Sequence, residues 1–376
     1  MDALLRPKTW VEISAHALRA NHRTFRRLLG PSVALMAVVK ANAYGHGMEQ
    51  VARILASVPA PKRAAPLWFG VDSAAEALRL RESGIREQIL VLGISDPADF
   101  LPMAETRVSF VLARFQDIAC LPISARVHLK VETGTHRLGF FPEELPKVFG
   151  ALHRRGIIPE GLYTHVADAE NMHSPFLSTQ RERFLRAESL AFRMWPNARL
   201  LRHLSATAAA LRDPAARCDM VRVGIGLYGL LPDKGFLHHP IAKKLRPALS
   251  WKTRVVQVKR ILKGESVGYD RTYHAARAMT IAVLPVGYWD GFDRRLSNTG
   301  TVLVRGKKAS VVGRVCMNMT MADVSNIPRV REGDEVVLLG KQGHTEITAA
   351  EMAAALGTIN YEVVTRINPL LMRAVV

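Results

Sequence analysis

The stretch AVVKANAYGHG, residues 37–47, puts a lysine where a lysine is costly. Seven apolar residues, Val33 to Val39, read as a strand buried on both faces, as in a parallel sheet. They deliver Lys40 directly into a polar turn bounded by Gly45 and Gly47. A charged ammonium follows such a strand cheaply only if it surfaces at the strand end or has chemistry to perform there. The chemistry suited to an amine is attack on a carbonyl carbon or movement of a proton. Other strand-like runs also end in polar groups: Lys130 after RVHL, His165 after GLYT, Ser205 after LLRHL and Arg222 after DMV.

The elements that must position these groups alternate. VALMAVVK, LWFGV, QILVLGI, RVSFVLA, RVHLKVET, GLYTHVA, LLRHLSA and DMVRVGI are eight strand candidates between residues 12 and 245, with amphipathic stretches between them. In AHALRANHRTFRRLL, Leu18, Phe25, Leu28 and Leu29 share one helical face, and Gly30-Pro31 stops the helix. DSAAEALRLRESG, residues 72–84, offers an Asp/Ser cap and a terminal glycine. The pattern predicts an α/β fold, a (β/α)8 TIM-like barrel, with an open doubly wound sheet as the weaker alternative. A barrel demands its reactive groups at strand C-terminal ends, where the five residues fall.

Near residue 245 the pattern changes. MTIAVLPV, TVLVRG, ASVVGRVC and DEVVLLG are short strand-like runs separated by Gly, Asn and Asp, followed by a single late helix, TAAEMAAALG. The chain therefore divides into a barrel domain over residues 11–244 and a second, mainly β domain over 245–376, with residues 1–10 packed on the latter.

With 376 residues, 48% hydrophobic and 23% charged, the chain has the composition of a globular protein with a large core. No apolar run is long enough to span a membrane, and the N-terminus lacks the layout of a secretory signal, so a cytoplasmic location is expected. Three widely spaced cysteines form no ligand or redox motif and are expected to be buried thiols; the 13 histidines show no metal-binding spacing. The net charge of +19 permits phosphate attraction, but the basic residues are scattered. Steering of anionic substrates or cofactors explains them better than nucleic-acid binding.

With both halves in view, AVVKANAYGHG resembles the cofactor-lysine signature of the alanine racemases, which bind pyridoxal 5′-phosphate. HLKVETGTHRLGF, GLYTHVADAE, DMVRVGIGLYGL, SVGYDRTY, PVGYWDGFDRRLSN, VGRVCMNM and TINYE match further family segments in the family's order, across essentially the whole chain. The resemblance implies a homodimer in which each barrel site is completed by the partner's second domain. It implies interconversion of L- and D-alanine by two-base proton transfer, supplying D-alanine for peptidoglycan.

By this resemblance Lys40 holds the cofactor and moves the substrate's Cα proton on one face. Tyr269, from the other subunit, serves the opposite face; local sequence alone does not separate it from Tyr273. Arg137 matches the arginine beside that phenol, which also holds the substrate carboxylate, and Met317 matches a residue binding the carboxylate through its backbone N–H. Arg222 matches the arginine facing the pyridine nitrogen, supported by His165. Because an arginine cannot take that nitrogen's proton, the ring is a weaker electron sink and side reactions are limited. Tyr44, Gly224, Ile225 and Tyr361 fall on the phosphate positions. Thr207 stands where many relatives carry serine, its hydroxyl still a donor. Lys130 matches a position carbamylated in many relatives, and Tyr288 an aromatic of the channel by which substrate arrives. No metal is implied.

Four positions depart from the family pattern: Ala206 for an asparagine, Asn318 for an aspartate, His136 for a glycine and Trp289 for a smaller residue. They leave open a serine or broader small-amino-acid racemase. A non-catalytic pyridoxal-phosphate-binding protein is a third reading, opposed by the β-rich segment that carries Tyr269.

Overall fold

Apolar strands flanked by apolar strands need cover on both faces, and rolling the sheet into a barrel surrounded by helices supplies it. The computed structural model describes residues 7–59 and 64–376. They form two compact units. One comprises Leu18–Ala43 and Met48–Arg246; the other comprises Tyr44–Gly47, Pro247–Val376 and the N-terminal residues through Ala17.

Strand β1 (Thr9–Ile13) belongs to the second unit. The first unit is an eight-stranded parallel sheet of β2 (Ala34–Val38), β3 (Leu67–Val71), β4 (Gln88–Val91), β5 (Val108–Leu112), β6 (Val127–Lys130), β7 (Gly161–Tyr163), β8 (Leu201–His203) and β9 (Met220–Val223). Strands β2 to β8 pair in chain order and β9 returns beside β2, with Ala34 opposite Met220. The Asp219 N–H donates to the Arg202 carbonyl and the Arg222 N–H to the Ser205 carbonyl, each at 3.0 Å. With a parallel bridge between Ala206 and Arg222, these contacts close the barrel between β8 and β9 and exclude the open sheet.

All five residues of β2 are buried, which accounts for the unbroken apolar run. Around the sheet lie helices at Ala15–Leu29, Met48–Ala56, Ala74–Glu82, Leu145–Arg154 and Phe176–Met194. In the first, Leu18, Phe25 and Leu29 are buried as the helical period requires. In the third, the Ser73 hydroxyl caps the start by accepting from the Glu76 N–H.

The second unit is built on a ten-stranded sheet. Its strands after β1 are β10 (Leu249–Arg254), β11 (Gln257–Ile261), β14 (Met279–Leu284), β15 (Thr301–Val304), β16 (Lys307–Val311), β17 (Thr320–Asp323), β18 (Glu335–Gln342), β19 (Thr345–Ile347) and β20 (Met372–Val375). They run in the order β11-β14-β17-β16-β15-β18-β10-β1-β20, with β19 beside β18. Strands β12 (Ser266–Val267) and β13 (Tyr273–His274) form a separate ribbon. In β10, Leu249, Trp251 and Thr253 alternate inward, and the Trp251 ring meets Phe292 edge-on at 6.0 Å. The edge strand β11 exposes Lys259 and Arg260, which discourages pairing with another chain.

The sequence predicted one late helix, and the structure has two: Ala349–Leu356, capped by Thr348 and ended by Gly357, and Asn360–Thr365. The second has six residues, too few for a periodic apolar face to show. Of the N-terminal segment expected to pack on the β-rich part, residues 1–6 lie outside the described residues, and Thr9 and Trp10 stand in β1. The expectation of buried thiols is corrected: Cys120 is exposed and Cys218 and Cys316 are half-buried. None of the three lies in the interior of a strand, where small apolar side chains are packed away: Cys120 ends a short helical turn, and Cys218 and Cys316 stand in loops. Among the described residues no helix is long and apolar enough to cross a membrane.

Candidate active site

Lys40 leaves the end of β2 through backbone that winds the wrong way. Ala41, Asn42, Ala43 and Tyr44 all have φ between 52° and 54°. Left-handed geometry costs an L-residue about 1–2 kcal/mol, so the turn persists only because its surroundings hold it. The Ala43 N–H donates to the Val39 carbonyl at 2.7 Å, and the Asn42 side chain accepts from the Met48 N–H at 3.0 Å. The Glu76 carboxylate accepts from both the Ala41 and the Asp72 N–H, at 2.9 and 2.7 Å. Asp72 in turn receives the Lys40 ammonium at 2.8 Å. The amine is thereby fixed over the C-terminal end of the barrel.

Arg222 lies in β9 and is 3% exposed. Its Nη1 donates to the His203 carbonyl at 2.8 Å and to His203 Nδ1 at 2.9 Å. Its Nη2 donates to the carbonyls of Thr164 and Leu204, at 2.8 and 2.9 Å, and lies 3.4 Å from His165 Nδ1. No acceptor is paired with its Nε–H among the described residues. Burial lowers the guanidinium's pKa to about 10. Burial and the neighbouring cations, Arg222 first, push His165 down to about 3, so its imidazole is neutral. Lys130 is 4% exposed at the end of β6; burial, then Arg137 and Arg222, lower its ammonium to about 8.

Arg137 rides on a loop organised by one carboxylate. Glu132 accepts from the N–H groups of Gly134, Thr135 and Arg137 and from the Thr135 hydroxyl. Burial alone would raise its pKa, but these donors win and hold it at about 2. His136 takes φ 49° within this loop, where a glycine would sit without strain. On the other side of the rim, the Thr207 hydroxyl accepts from the Gly224 N–H at 3.2 Å, ahead of the tight turn Ile225–Tyr228. A Cβ on Gly226 would come within 2.6 Å of Phe25 and 2.7 Å of the Thr207 methyl, so only glycine lets this turn approach so closely. Ser205 donates to the Ala216 carbonyl at 2.6 Å, a packing role.

The remaining candidates belong to the β-rich unit. Tyr269 stands at the tip of the β12–β13 ribbon, 66% exposed, just after Gly268 at φ 74°. Tyr273 instead packs against Val267, Ala275, Met279, Ile281 and Val312. Their environments thus distinguish two tyrosines that local sequence could not. The Tyr288 and Trp289 N–H groups donate to the carbonyls of Cys316 and Met317, each at 3.0 Å, so these two segments lie side by side. Tyr288 also lines a cavity of about 620 Å³ with Gly291, Asp293, Arg294 and Arg366. The rings of Tyr44 and Tyr361 meet at 6.1 Å.

Comparison with known proteins places this arrangement. The sequence profile "Alanine racemase, N-terminal domain" matches residues 13–232, and "Alanine racemase, C-terminal domain" matches residues 248–375. This chain belongs to the alanine racemases.

The alanine racemase of Carboxydothermus hydrogenoformans is 40% identical, over 97% of this chain and 98% of its own. That of Symbiobacterium thermophilum is 42% identical, over 97% and 96%. Among solved structures, the alanine racemase of Bacillus anthracis with bound L-Ala-P superposes with a TM-score of 0.90 at 33% identity, covering 100% of this chain and 96% of that one. The alanine racemase fold thus spans the whole chain, and the chain is a racemase of the isomerase class.

Several residues that shape this alanine racemase site escaped the sequence reading. Asp72 and Glu76 appeared only as cap and body of a helix, and Glu132 only as one letter of a motif. The one available signal for Glu132 was an acid just before Thr-Gly, a common way for a carboxylate to gather loop N–H groups. His203, the last residue of β8 between Arg202 and Leu204, gave no signal of its pairing with Arg222.

Proposed function

We propose that this alanine racemase interconverts L- and D-alanine with pyridoxal 5′-phosphate as its cofactor, supplying D-alanine for peptidoglycan. The observation that carries the reading is the Arg222 guanidinium: buried, and held in place by carbonyls and neutral histidines. A buried cationic donor of that kind suits an aromatic ring nitrogen, and the rest of the donor set suits the rest of the cofactor. Lys40 offers an amine for the aldehyde. Thr207, Gly224, Ile225, Tyr44 and Tyr361 offer neutral donors for the phosphate, and Gly226 leaves room for close approach. When bound, the cofactor supplies an electrophilic carbon and a conjugated ring that spreads the electron pair left as the Cα proton departs.

In this proposal Lys40 moves the proton on one face of Cα, with Asp72 and Glu76 fixing its height above the barrel. Tyr269 of the partner subunit acts on the other face, and its exposed phenol on the ribbon tip supports that role. Arg137 and, from across the dimer, the backbone N–H of Met317 of the partner subunit hold the substrate carboxylate, and Tyr288 lines the approach. His165 steadies Arg222. Lys130, with an ammonium that deprotonates near 8, can present the neutral amine that carbamylation requires.

Lys40→Ala should abolish both the visible-edge absorbance of the bound cofactor and racemisation. Tyr269→Phe should keep that absorbance while blocking Cα deuterium exchange on one face; unchanged rates in both directions would remove Tyr269 from the mechanism. His136 and the 58% exposed Trp289 favour testing serine as a second substrate. A higher kcat/KM for serine than for alanine would shift the assignment.

A further inference from the structure

Barrel interiors are ordinarily filled by layers of branched apolar side chains. This one carries a polar column along its length. From Arg222 the chain of contacts continues through His203, whose Nε2 lies 2.9 Å from His128 Nδ1, and on to Glu160. His128 Nε2 lies 3.4 Å from Glu160 Oε2. Glu160 immediately precedes β7, at the opposite rim from Lys40, and also receives the Ser109 hydroxyl at 2.5 Å and the Arg126 guanidinium. His128 and His203 are fully buried, with the Tyr163 ring stacked on His203 at 4.6 Å and the Trp68 ring edge-on to His128 at 5.6 Å.

The direction of the chain follows from its first member. A guanidinium has donors and no acceptor, so His203 Nδ1 must accept from Arg222 and the His203 proton must sit on Nε2. That N–H then donates to His128 Nδ1, which forces the His128 proton onto Nε2, facing the Glu160 carboxylate. A second proton on either ring would set two donors against each other. Both rings are therefore neutral, and burial together with Arg222 opposes protonation of His203 in the same sense. The carboxylate at the far end of the chain, itself paired with Arg126, stands two imidazoles from Arg222, which has no carboxylate against it at the working end of the barrel among the described residues.

We propose that Glu160 and His128 are positioning residues for Arg222, acting through two hydrogen bonds and a closing His128–Glu160 contact, in a proton order the arginine imposes. The proposal rests on the racemase reading only for what Arg222 serves; the order of the chain belongs to the protein without cofactor.

The decisive measurement is 15N NMR of histidine-labelled protein without cofactor. Both rings should carry their proton on Nε2, and His203 should stay neutral across about pH 5 to 8, where an ordinary histidine titrates. A proton on Nδ1 of either ring, or a doubly protonated ring at neutral pH, would overturn the proposal. Arg222→Gln should release the order and make His203 titratable; an unchanged pattern would show that the arginine does not impose it. In the cofactor-loaded protein, His128→Asn keeps an acceptor for His203 but loses Glu160. It should fold, shift the cofactor's visible band and lower kcat about tenfold at similar KM, and Glu160→Gln should do the same. If both variants leave band and kcat untouched, the remote end has no positioning role, whatever the racemase reaction requires.

Discussion

At the scale of single residues, the site is made as much by carboxylates that gather N–H groups as by the groups that would meet substrate. Glu132 is the clearest. Its folded pKa is depressed to about 2, so its stabilisation is complete above the ordinary carboxylate value and is lost as pH falls from about 4.5 towards 2. For a carboxylate 4% exposed, that shift corresponds to a stability contribution on the order of 3 kcal/mol. Glu132→Gln should lower the melting temperature at neutral pH, with the difference from the parent chain shrinking as pH drops below about 4. Lys130 has the opposite sign. Its lowered pKa is a penalty at neutral pH that fades between about 8 and its unfolded value, so stability should rise across that window in buffer free of carbon dioxide. Carbamylation would replace the cation by an anion among Arg137, Arg222 and Lys40. A 13C carbamate signal that appears with labelled bicarbonate and vanishes in Lys130→Met would demonstrate it. The candidate reactive side chains stood out in the sequence because an amine or guanidinium at the end of an apolar strand is conspicuous. Glu132, Asp72 and His203 were not, because their partners are backbone groups or side chains that only the fold brings near.

At the scale of elements, the eight barrel strands and the helices at Ala15–Leu29, Ala74–Glu82 and Ala349–Leu356 were readable from period and caps. The left-handed turn after Lys40 was not, since two alanines, an asparagine and a tyrosine carry no sign of it. Replacing Ala41 by glycine should relieve strain and raise stability by about 1 kcal/mol, while loosening the base of Lys40 and lowering kcat. Equal stability in the two proteins would mean that the turn is unstrained. A related constraint sits inside the barrel. A Cβ on Gly161 would fall 2.3 Å from His128 Nδ1, so Gly161→Ala cannot coexist with the imidazole where it lies. It should cost about 1–3 kcal/mol by chemical denaturation; His128→Ala in the same chain should recover part of that by vacating the space.

At the scale of the whole molecule, the charge of +19 predicts a rate effect. Association with a phosphate-bearing cofactor should slow as salt rises, because screening shortens the reach of the basic surface. A salt-independent rate would mean that the charge has no steering role. The β-rich unit also exposes Tyr269, Tyr288, Trp289, Met317 and Met319, a run of large apolar groups suited to cover by a second copy. Trp289→Glu should weaken the expected dimer, so that sedimentation shows more monomer and activity falls on dilution. The same unit has a less obvious dependence on the order of synthesis. Strand β1 is interior to its sheet, lying antiparallel to β10 and parallel to β20, so the first of the described strands to be made is flanked by two that are made much later. Residues 247–376 produced alone would carry two raw edges where β1 belongs, and should aggregate unless a peptide covering Thr9–Ile13 is supplied in trans. During translation the nascent β1 must wait for β10 on one edge and for β20 on the other, a wait in which a chaperone has something to hold.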